Sequence, residues 1–116
     1  MSQQSWFSTR VRLVVLIEGA HAMRYSDSVF VFRAADFDDA FRRALALGRK
    51  QEQEYVGGEG KRVRRRLKEV VSLDIISADD LDGAEVYSEP VDLATGEASD
   101  FDQVFTPESS KPTQTI

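Results

Sequence analysis

The chain has 116 residues, which is enough for one domain with its own core and too few for two. Hydrophobic residues make up 41% and charged residues 30%, as in ordinary soluble domains, and the longest strongly apolar run, Leu13 to Ile17, is too short to span a bilayer. The lack of cysteine excludes disulfides, thiol nucleophiles and cysteine zinc sites. Because Met1 to Ser5 lacks the features of a signal peptide, we expect a cytoplasmic protein without membrane contact.

The net charge of -5 conceals an asymmetry along the chain. Residues 1–68 hold 14 Lys or Arg against 8 Asp or Glu, a balance of +6, whereas residues 69–116 hold 1 against 12, a balance of -11. Both sets of charges can be solvated faces that keep the protein soluble. The alternative is that the acidic end folds over a basic surface or competes for one.

The first half of the chain predicts a hairpin. Trp6 to Glu18 alternates apolar and polar residues, and its second face turns apolar at Val14, which indicates a central strand. Gly19 to Asp27 contains turn residues and the single histidine, so we expect a loose connection there. Ser28 to Ala34 is the second predicted strand.

A helix is predicted over Asp36 to Gln53, because its apolar residues recur at helical spacing. Asp36 is a suitable N-cap, and Asp38 and Asp39 place negative charge in the first turn, where the helix dipole favours it. The apolar face consists of Phe37, Ala40, Phe41, Ala44, Leu45 and Gly48.

The second half of the chain predicts two further strands. A glycine-rich turn precedes Lys61 to Ser77, a strand long enough to bend or bulge once. Ala84 to Val91 is a short last strand that Pro90 suits to an edge. From residue 93 the chain is acidic, rich in Ser, Thr and Pro and without periodicity, which predicts a disordered tail.

These elements predict a single α+β domain over residues 1–92, followed by an acidic disordered tail over residues 93–116. The domain is an antiparallel sheet of about four strands, in the order 2-1-3-4, with a ββαββ arrangement and one helix on one face. The opposite face is partly apolar, and we expect a homodimer to form through it. The apolar residues that we assign to this face are Val14, Leu16, Val70 and Ile76.

Short sequence motifs also resemble a known family. They are the opening Trp6-Phe7-Ser8, the helix positions Asp39, Ala40, Ala44 and Gly48, and the closing Gly83-Ala84-Glu85-Val86-Tyr87-Ser88. Over roughly residues 6–88 the chain resembles a family of small bacterial proteins known as domain of unknown function 4288. The resemblance implies a compact bacterial domain and brings no activity, cofactor or binding residues with it.

Three kinds of chemistry find little support in the sequence. His21 lies in a predicted loop, and a nucleophilic triad would need a serine and a carboxylate beside it. Such residues are common in loops by chance, so their presence near His21 in the sequence gives little support for a triad. Asp79, Asp80 and Asp82 are too closely spaced for an EF-hand and are typical of a polar turn. The glycines at 57, 58 and 60 follow a helix and open a strand, the reverse of a phosphate loop. We therefore expect no catalytic, cofactor or metal site, although enzyme activity stays an open alternative.

A basic stripe runs along the start of the predicted third strand. Cations at every second position project from one face of a strand and can contact successive phosphates of a nucleic acid. The aromatic residues typical of an RNA-binding sheet are absent from this strand, and a solvated strand end explains the charges equally well. The candidate nucleic-acid contacts are Arg62, Arg64, Arg66 and Lys68.

Two polar residues, Arg65 and Glu69, interrupt the apolar face predicted for the same strand and need partners. They can be rim charges that reach solvent. The functional alternative is a small polar pocket lined by Trp6, Arg65, Glu69, Glu85 and Tyr87.

The sequence favours a non-enzymatic interaction or accessory protein with an unknown protein partner. Phe101, Val104 and Phe105 are apolar residues in an otherwise polar acidic tail, so we expect them to dock on the domain or on a partner. One concrete version is an inhibitor or immunity protein whose tail occupies a basic site on its target. The alternatives are a nucleic-acid-binding module that uses the basic stripe, and a small-ligand pocket or enzyme.

Overall fold

A computed structural model describes residues 3–90 and 101–113 of the chain. Within those residues the chain forms four β-strands, one α-helix and one turn of 3₁₀ helix, and no helix there is long and apolar enough to cross a membrane. The elements are β1 (Ser5–Ile17), β2 (Arg24–Ala34), α1 (Phe37–Lys50), β3 (Gln53–Val56), β4 (Arg62–Ile76) and the 3₁₀ turn Pro107–Ser110.

The strands form one sheet in the order β2-β1-β4-β3, and each neighbouring pair is antiparallel. Because β2 and β4 both run opposite to β1, they run in the same direction as each other. The predicted α+β fold, with an antiparallel sheet, a ββαββ order and the first strand between the second and the long one, is confirmed.

The edge strand beside β4 is β3, which begins at the last residue of the predicted helix and otherwise covers residues for which we predicted no strand. It pairs with Arg62 to Arg65 through a hairpin in which the Gly57 N–H donates to the Lys61 carbonyl at 2.8 Å. The order of β3 and β4 along the chain therefore differs from the prediction, because the edge strand comes before the long strand in the sequence. Beyond Arg65, β4 has no neighbour on that side within the described residues.

Residues 84–90, which we call the arm, form no strand. We predicted a last strand from Ala84 to Val91, and Val91 itself lies outside the described residues. The arm packs through its side chains instead, because Tyr87 and Glu89 both reach Arg10 on β1. This segment therefore covers part of the sheet face that carries no helix.

Two irregularities set the faces of β4. The pairing of β1 with β4 shifts between Arg10 and Val11 and again between Arg12 and Leu13. The residues of β4 that have no partner at these shifts are Val71 and Lys68, so each shift inserts one residue into β4. The sequence predicted one such bend in this strand.

The two inserted residues change which side chains share a face. Glu69 pairs in register with Arg12 on the open face, whereas Arg65 pairs with Val15 on the helix side. Val70 lies opposite Val11 on the helix side, although we placed it on the open face. A strict two-residue period cannot locate a bulge, and each bulge reverses the face of every residue that follows it.

The helix begins as the sequence predicts and ends slightly earlier. The Asp36 carboxylate accepts a hydrogen bond from the Asp39 N–H at 2.8 Å, and the Asp39 carboxylate accepts one from the Ala35 N–H at 2.9 Å. These reciprocal bonds satisfy amides at the start of the helix that have no helical partner. The helix ends at Lys50 and is capped by Gln51, because the following residues enter β3.

Small residues let the helix approach the sheet closely. Ala40, Ala44 and Gly48 are its buried positions, and a Cβ atom on Gly48 would lie only 2.7 Å from Leu67 Cδ1. Phe37 and Phe41, which we assigned to the buried face, are 59% and 44% exposed. The set of helix residues that contacts the sheet is thus narrower than the apolar face predicted from the sequence. The helix lies so close to the sheet that there is no room for two phenyl rings beneath it.

The tail is described only from residue 101 to residue 113. Those residues are exposed, and Pro107–Ser110 form a single 3₁₀ turn. The rest of the predicted tail, residues 93–100 and 114–116, lies outside the described residues. The predicted boundary between domain and tail, and the disorder of the tail, stay predictions.

Candidate functional site

A bidentate ion pair joins β1 and β2 on the open face. The residues Arg12 and Asp27 are paired in register, and their side chains meet through Nε to Oδ1 at 2.8 Å and a second guanidinium nitrogen to Oδ2 at 2.9 Å. This hydrogen-bonded contact holds the pKa of Asp27 below its ordinary value and raises the pKa of Arg12. Glu69 also reaches Arg12, at 3.5 Å. Arg12 is therefore occupied by carboxylates of its own domain.

Arg10, two residues away on the same face, is held more loosely. Its guanidinium lies 3.7 Å from Asp27 and 3.6 Å from Glu89, and it stacks over the Tyr87 ring at 4.5 Å. The Tyr87 hydroxyl donates to Glu89 at 2.9 Å, and this hydrogen bond raises the pKa of Tyr87. The arm thus supplies both an aromatic ring and a carboxylate to one arginine.

Two polar atoms beneath the arm, Ser8 Oγ and Arg10 Nε, are buried and have no hydrogen-bond partner among the described residues, while the buried Ser72 hydroxyl lies against Tyr87. Ser72 pairs in register with Arg10, and Ser8 is the next residue of β1 on the same face. Ser8 is only 1% exposed. Buried polar groups normally have partners, so this cluster is short of hydrogen-bond acceptors.

The structure places most of the basic stripe in contacts with other residues. Arg62 lies 3.5 Å from Glu18 and 3.9 Å from Glu54, and Arg66 lies 3.0 Å from Glu54. Lys68 lies over the Tyr25 ring at 4.7 Å. Of the four, Arg64 alone makes neither an ion pair nor a cation–π contact with the described residues.

The residues of the predicted polar pocket do not come together. Trp6 pairs in register with Ile76, whereas Arg65 pairs with Val15, nine residues further along β1. At about 3.3 Å per residue these two lie roughly 30 Å apart. Glu69 joins Arg12 on the open face, so it cannot share a site with Arg65 on the helix side.

The remaining two pocket residues belong to the arm, where Tyr87 contacts Arg10 and Glu85 is exposed. Trp6 instead stacks with Arg33 at 4.6 Å, beside an open cleft of about 460 Å³ at the end of the sheet. The polar residues that do converge are Arg10, Arg12 and Asp27. Arg10 and Arg12 lie on the face of the first strand that turns apolar at Val14, and this is the signal that could have pointed to the two arginines.

The apolar part of the open face also differs from the expectation. Ile76 is buried, and the exposed apolar side chains of this face lie on β2: Tyr25, Val29 and Val31 are 48%, 47% and 43% exposed. In the predicted homodimer, the apolar contact through the open face would therefore come mainly from these three residues of β2 and less from the four that we named.

The other groups considered for chemistry lie apart from this cluster. His21 is exposed in the connection between β1 and β2. The Asp80 carboxylate accepts a hydrogen bond from the Asp82 N–H at 3.0 Å, as in a polar turn. Across residues 3–90 and 101–113, no group of three or more His, Asp or Glu side chains is arranged to hold a metal ion.

The three tail residues are exposed to solvent. Phe101 is fully exposed, and Val104 and Phe105 are 85% and 73% exposed. They do not pack on the domain, so the structure leaves them available for contacts with another molecule.

Comparison with known proteins gives one match. A family model described as "Domain of unknown function (DUF4288)" matches residues 6–88, which are 83 of the 116 residues. The matched region includes β1 at one end and most of the arm at the other. No curated protein and no solved structure matches the chain at the significance required.

Proposed function

Since the chain belongs to the DUF4288 family of domains of unknown function, we propose its function from geometry: a non-enzymatic interaction domain of a bacterial cytoplasmic protein. The domain presents an acidic tail, and the tail binds a protein partner through Phe101, Val104 and Phe105. The observation that carries this proposal is the exposure of all three side chains, which ranges from 73% upward. Three large apolar groups within five residues are costly to leave in water.

The chemistry of the tail indicates what the partner offers. Asp100, Asp102 and Glu108 flank the aromatic residues in the sequence, and the sequence has no Lys or Arg between residues 93 and 110. An apolar groove with a basic rim matches this arrangement, since aromatic anchors fill pockets while charged rims steer association. An inhibitor or immunity protein that blocks a basic site on its target is the most specific form of this proposal.

The test is affinity capture from the host lysate with quantitative mass spectrometry. The full chain is compared with Phe101→Ala/Phe105→Ala and with the control Lys111→Ala/Thr113→Ala, which changes the same tail outside the aromatic cluster. We expect a specific protein to be recovered with the full chain and the control and reduced about tenfold with the aromatic variant. Equal recovery with all three baits contradicts the proposal.

The nucleic-acid alternative is less well supported, because Arg62 and Arg66 face carboxylates at 3.0 to 3.9 Å. A binding stripe would have to exchange these ion pairs for phosphate contacts. We expect unchanged mobility of short DNA and RNA, in duplex and single-stranded form, at low salt. A shift that Arg64→Gln reduces would support the alternative instead.

A further inference from the structure

We propose that the arm is a displaceable occupant of a peptide-binding site centred on Arg10, and that the external ligand is an acidic, aromatic segment of another protein. This surface is distinct from the tail, so it goes beyond the function proposed above. The inference rests on how the arm is held, on what lies beneath it and on the charge of the face that it covers.

Side chains alone attach the arm to the sheet. Tyr87 stacks on Arg10 at 4.5 Å and Glu89 approaches the same guanidinium to 3.6 Å. Among the described residues, the arm makes no backbone hydrogen bond to β1 or β4, and its only one runs from the Ala84 N–H to the Leu81 carbonyl in the preceding turn. Gly83, with φ of 80°, adopts at this turn a conformation that glycine accommodates easily. Release of the arm therefore breaks no strand pairing.

The arm fits the site incompletely. Glu89 lies beyond hydrogen-bonding distance of Arg10, and among the described residues the Ser8 hydroxyl and the Arg10 Nε–H have no acceptor. Both groups can donate a hydrogen bond. A ligand that supplies a carboxylate or backbone carbonyl oxygens at this position satisfies donors that the arm does not, and so can compete with it.

The charge of the face selects the ligand. Arg10, Arg12 and Arg33 project from the open face, which also carries Asp27, Glu69 and Asp74. Arg12 is already bound by Asp27 through two hydrogen bonds, and Arg33 stacks on Trp6 at the end of the sheet. Arg10 is thus the available anchor for a carboxylate. The spacing of Tyr87 and Glu89 on the arm supplies the pattern: an aromatic residue that stacks on the guanidinium, and a carboxylate two residues later.

A labelled synthetic peptide with the sequence of Gly83 to Pro90 serves as the probe, with fluorescence anisotropy as the readout. The proteins are the full chain, the loosened variant Tyr87→Ala/Glu89→Gln and the control Glu85→Gln, which removes a charge from the arm at an exposed position that makes no ion pair with the described residues. Because the apparent dissociation constant rises as the competent fraction falls, we expect the loosened variant to bind the peptide at least about tenfold more tightly than the wild type. The control should bind like the wild type.

A second arm of the experiment assigns the site to Arg10. In the loosened background, Arg10→Lys keeps the charge but removes the Nε–H and the planar surface, and we expect it to weaken peptide binding about tenfold. If the loosened variant does not fold, Glu89→Gln alone replaces it, and a shift of the Arg10 Nε–H resonance on peptide addition reports binding. Thermal unfolding checks each variant.

Any of four results would overturn the proposal. The first is that the loosened variant binds the peptide no more tightly than the wild type. The second is that the loosened variant binds equally well a peptide in which the tyrosine and the last glutamate are replaced by alanine and glutamine. The third is that Arg10→Lys has no effect on peptide binding. A dimer of the unmodified chain that is lost with Arg10→Lys would also overturn it, because the external ligand would then be the arm of a second copy.

Discussion

At the scale of single residues, Asp27 organises the polar part of the open face. It bonds Arg12 through both carboxylate oxygens and lies 3.7 Å from Arg10, so it fixes two arginines of β1 from the neighbouring strand. Both bonded side chains are partly exposed, at 34% and 24%, so solvent moderates the strength of the pair.

Asp27→Asn removes the charge while keeping the shape. We expect the melting temperature at neutral pH to fall by about 2–5 °C, because the bidentate contact is weakened but the surrounding sheet remains. Thermal unfolding followed by circular dichroism measures the change. Glu59→Gln is the control, because this carboxylate is 84% exposed and makes only a loose ion pair with Lys61, at 4.0 Å. An equal effect of the two substitutions would contradict the role given to Asp27.

The same carboxylate makes stability depend on pH. The pKa of Asp27 is lowered by its hydrogen bond with Arg12, and the pKa of Asp39 is lowered by its hydrogen bond with the Ala35 N–H. Groups whose folded-state pKa is depressed stabilise the fold above the unfolded-state pKa of about 4, and this stability is lost as the pH falls through the folded-state pKa. We expect the difference in melting temperature between wild type and Asp27→Asn to shrink steadily below about pH 4. A constant difference down to the acid limit would refute this.

At the scale of elements, the contact between α1 and β4 decides how closely the helix lies on the sheet. Gly48 faces Leu67 across this contact, and the three nearest side-chain carbons of Leu67 lie 2.7 to 3.3 Å from a Cβ built on the glycine. The whole isobutyl group would have to move to admit a methyl group.

Gly48→Ala therefore sets two effects against each other. Alanine is favoured over glycine in a helix by about 1 kcal/mol, whereas overpacking of a filled contact costs about 1–3 kcal/mol. We expect a net loss of about 1 kcal/mol in the free energy of unfolding, measured by urea denaturation. Gly58→Ala, where nothing lies within 4 Å, is the control and should be nearly neutral. A stabilised Gly48→Ala would show that the helix can lift away from β4 without cost.

The start of the helix gives a matched pair of substitutions. Asp36→Ala removes the acceptor of the 2.8 Å bond from the Asp39 N–H, and we expect a loss of about 1 kcal/mol in the free energy of unfolding. Asp36→Ser keeps a capping oxygen and should recover most of that loss. If serine is as destabilising as alanine, the carboxylate acts through its charge and not as a cap.

Local patterns predicted the elements well because they depend on local physics. The helical spacing from Phe37 to Gly48 and the Asp36 cap located α1, and the two half-apolar faces of the first strand placed it inside the sheet. The sequence did not predict which helix residues are buried, because Phe37 and Phe41 fit the same helical period as Ala40 and are nevertheless exposed.

What the sequence could not predict depends on contacts between distant residues. The short β3 has no period of its own and is defined by its pairing with β4, while the arm alternates like a strand but packs by side chains. The two inserted residues in β4 moved Glu69 to the opposite face, so the predicted pocket could not form. Arg12 and Asp27 are fifteen residues apart, and only the register of the hairpin brings them together.

At the scale of the whole molecule, charge divides the chain into a basic part and an acidic part, with balances of +6 and -11. Some of these acidic side chains form ion pairs within the domain, since Glu69 and Glu89 face arginines of β1.

A homodimer through the open face stays a prediction at this scale. Tyr25, Val29 and Val31 expose apolar area on β2 that a second copy can cover. We expect light scattering at tens of micromolar protein to give twice the mass of the chain, and Val29→Lys/Val31→Lys to restore the single mass. A single-chain mass for the unmodified protein would count against the dimer.

The most direct measurement is affinity capture with two baits side by side, the full chain and residues 1–92, followed by quantification of both protein and nucleic acid. If the tail is the partner-binding element, a specific protein is recovered with the full chain and lost with the truncated one. Nucleic acid recovered more strongly with the truncated chain, in the absence of any tail-dependent protein, would contradict the proposed function and assign binding to the basic stripe of β4.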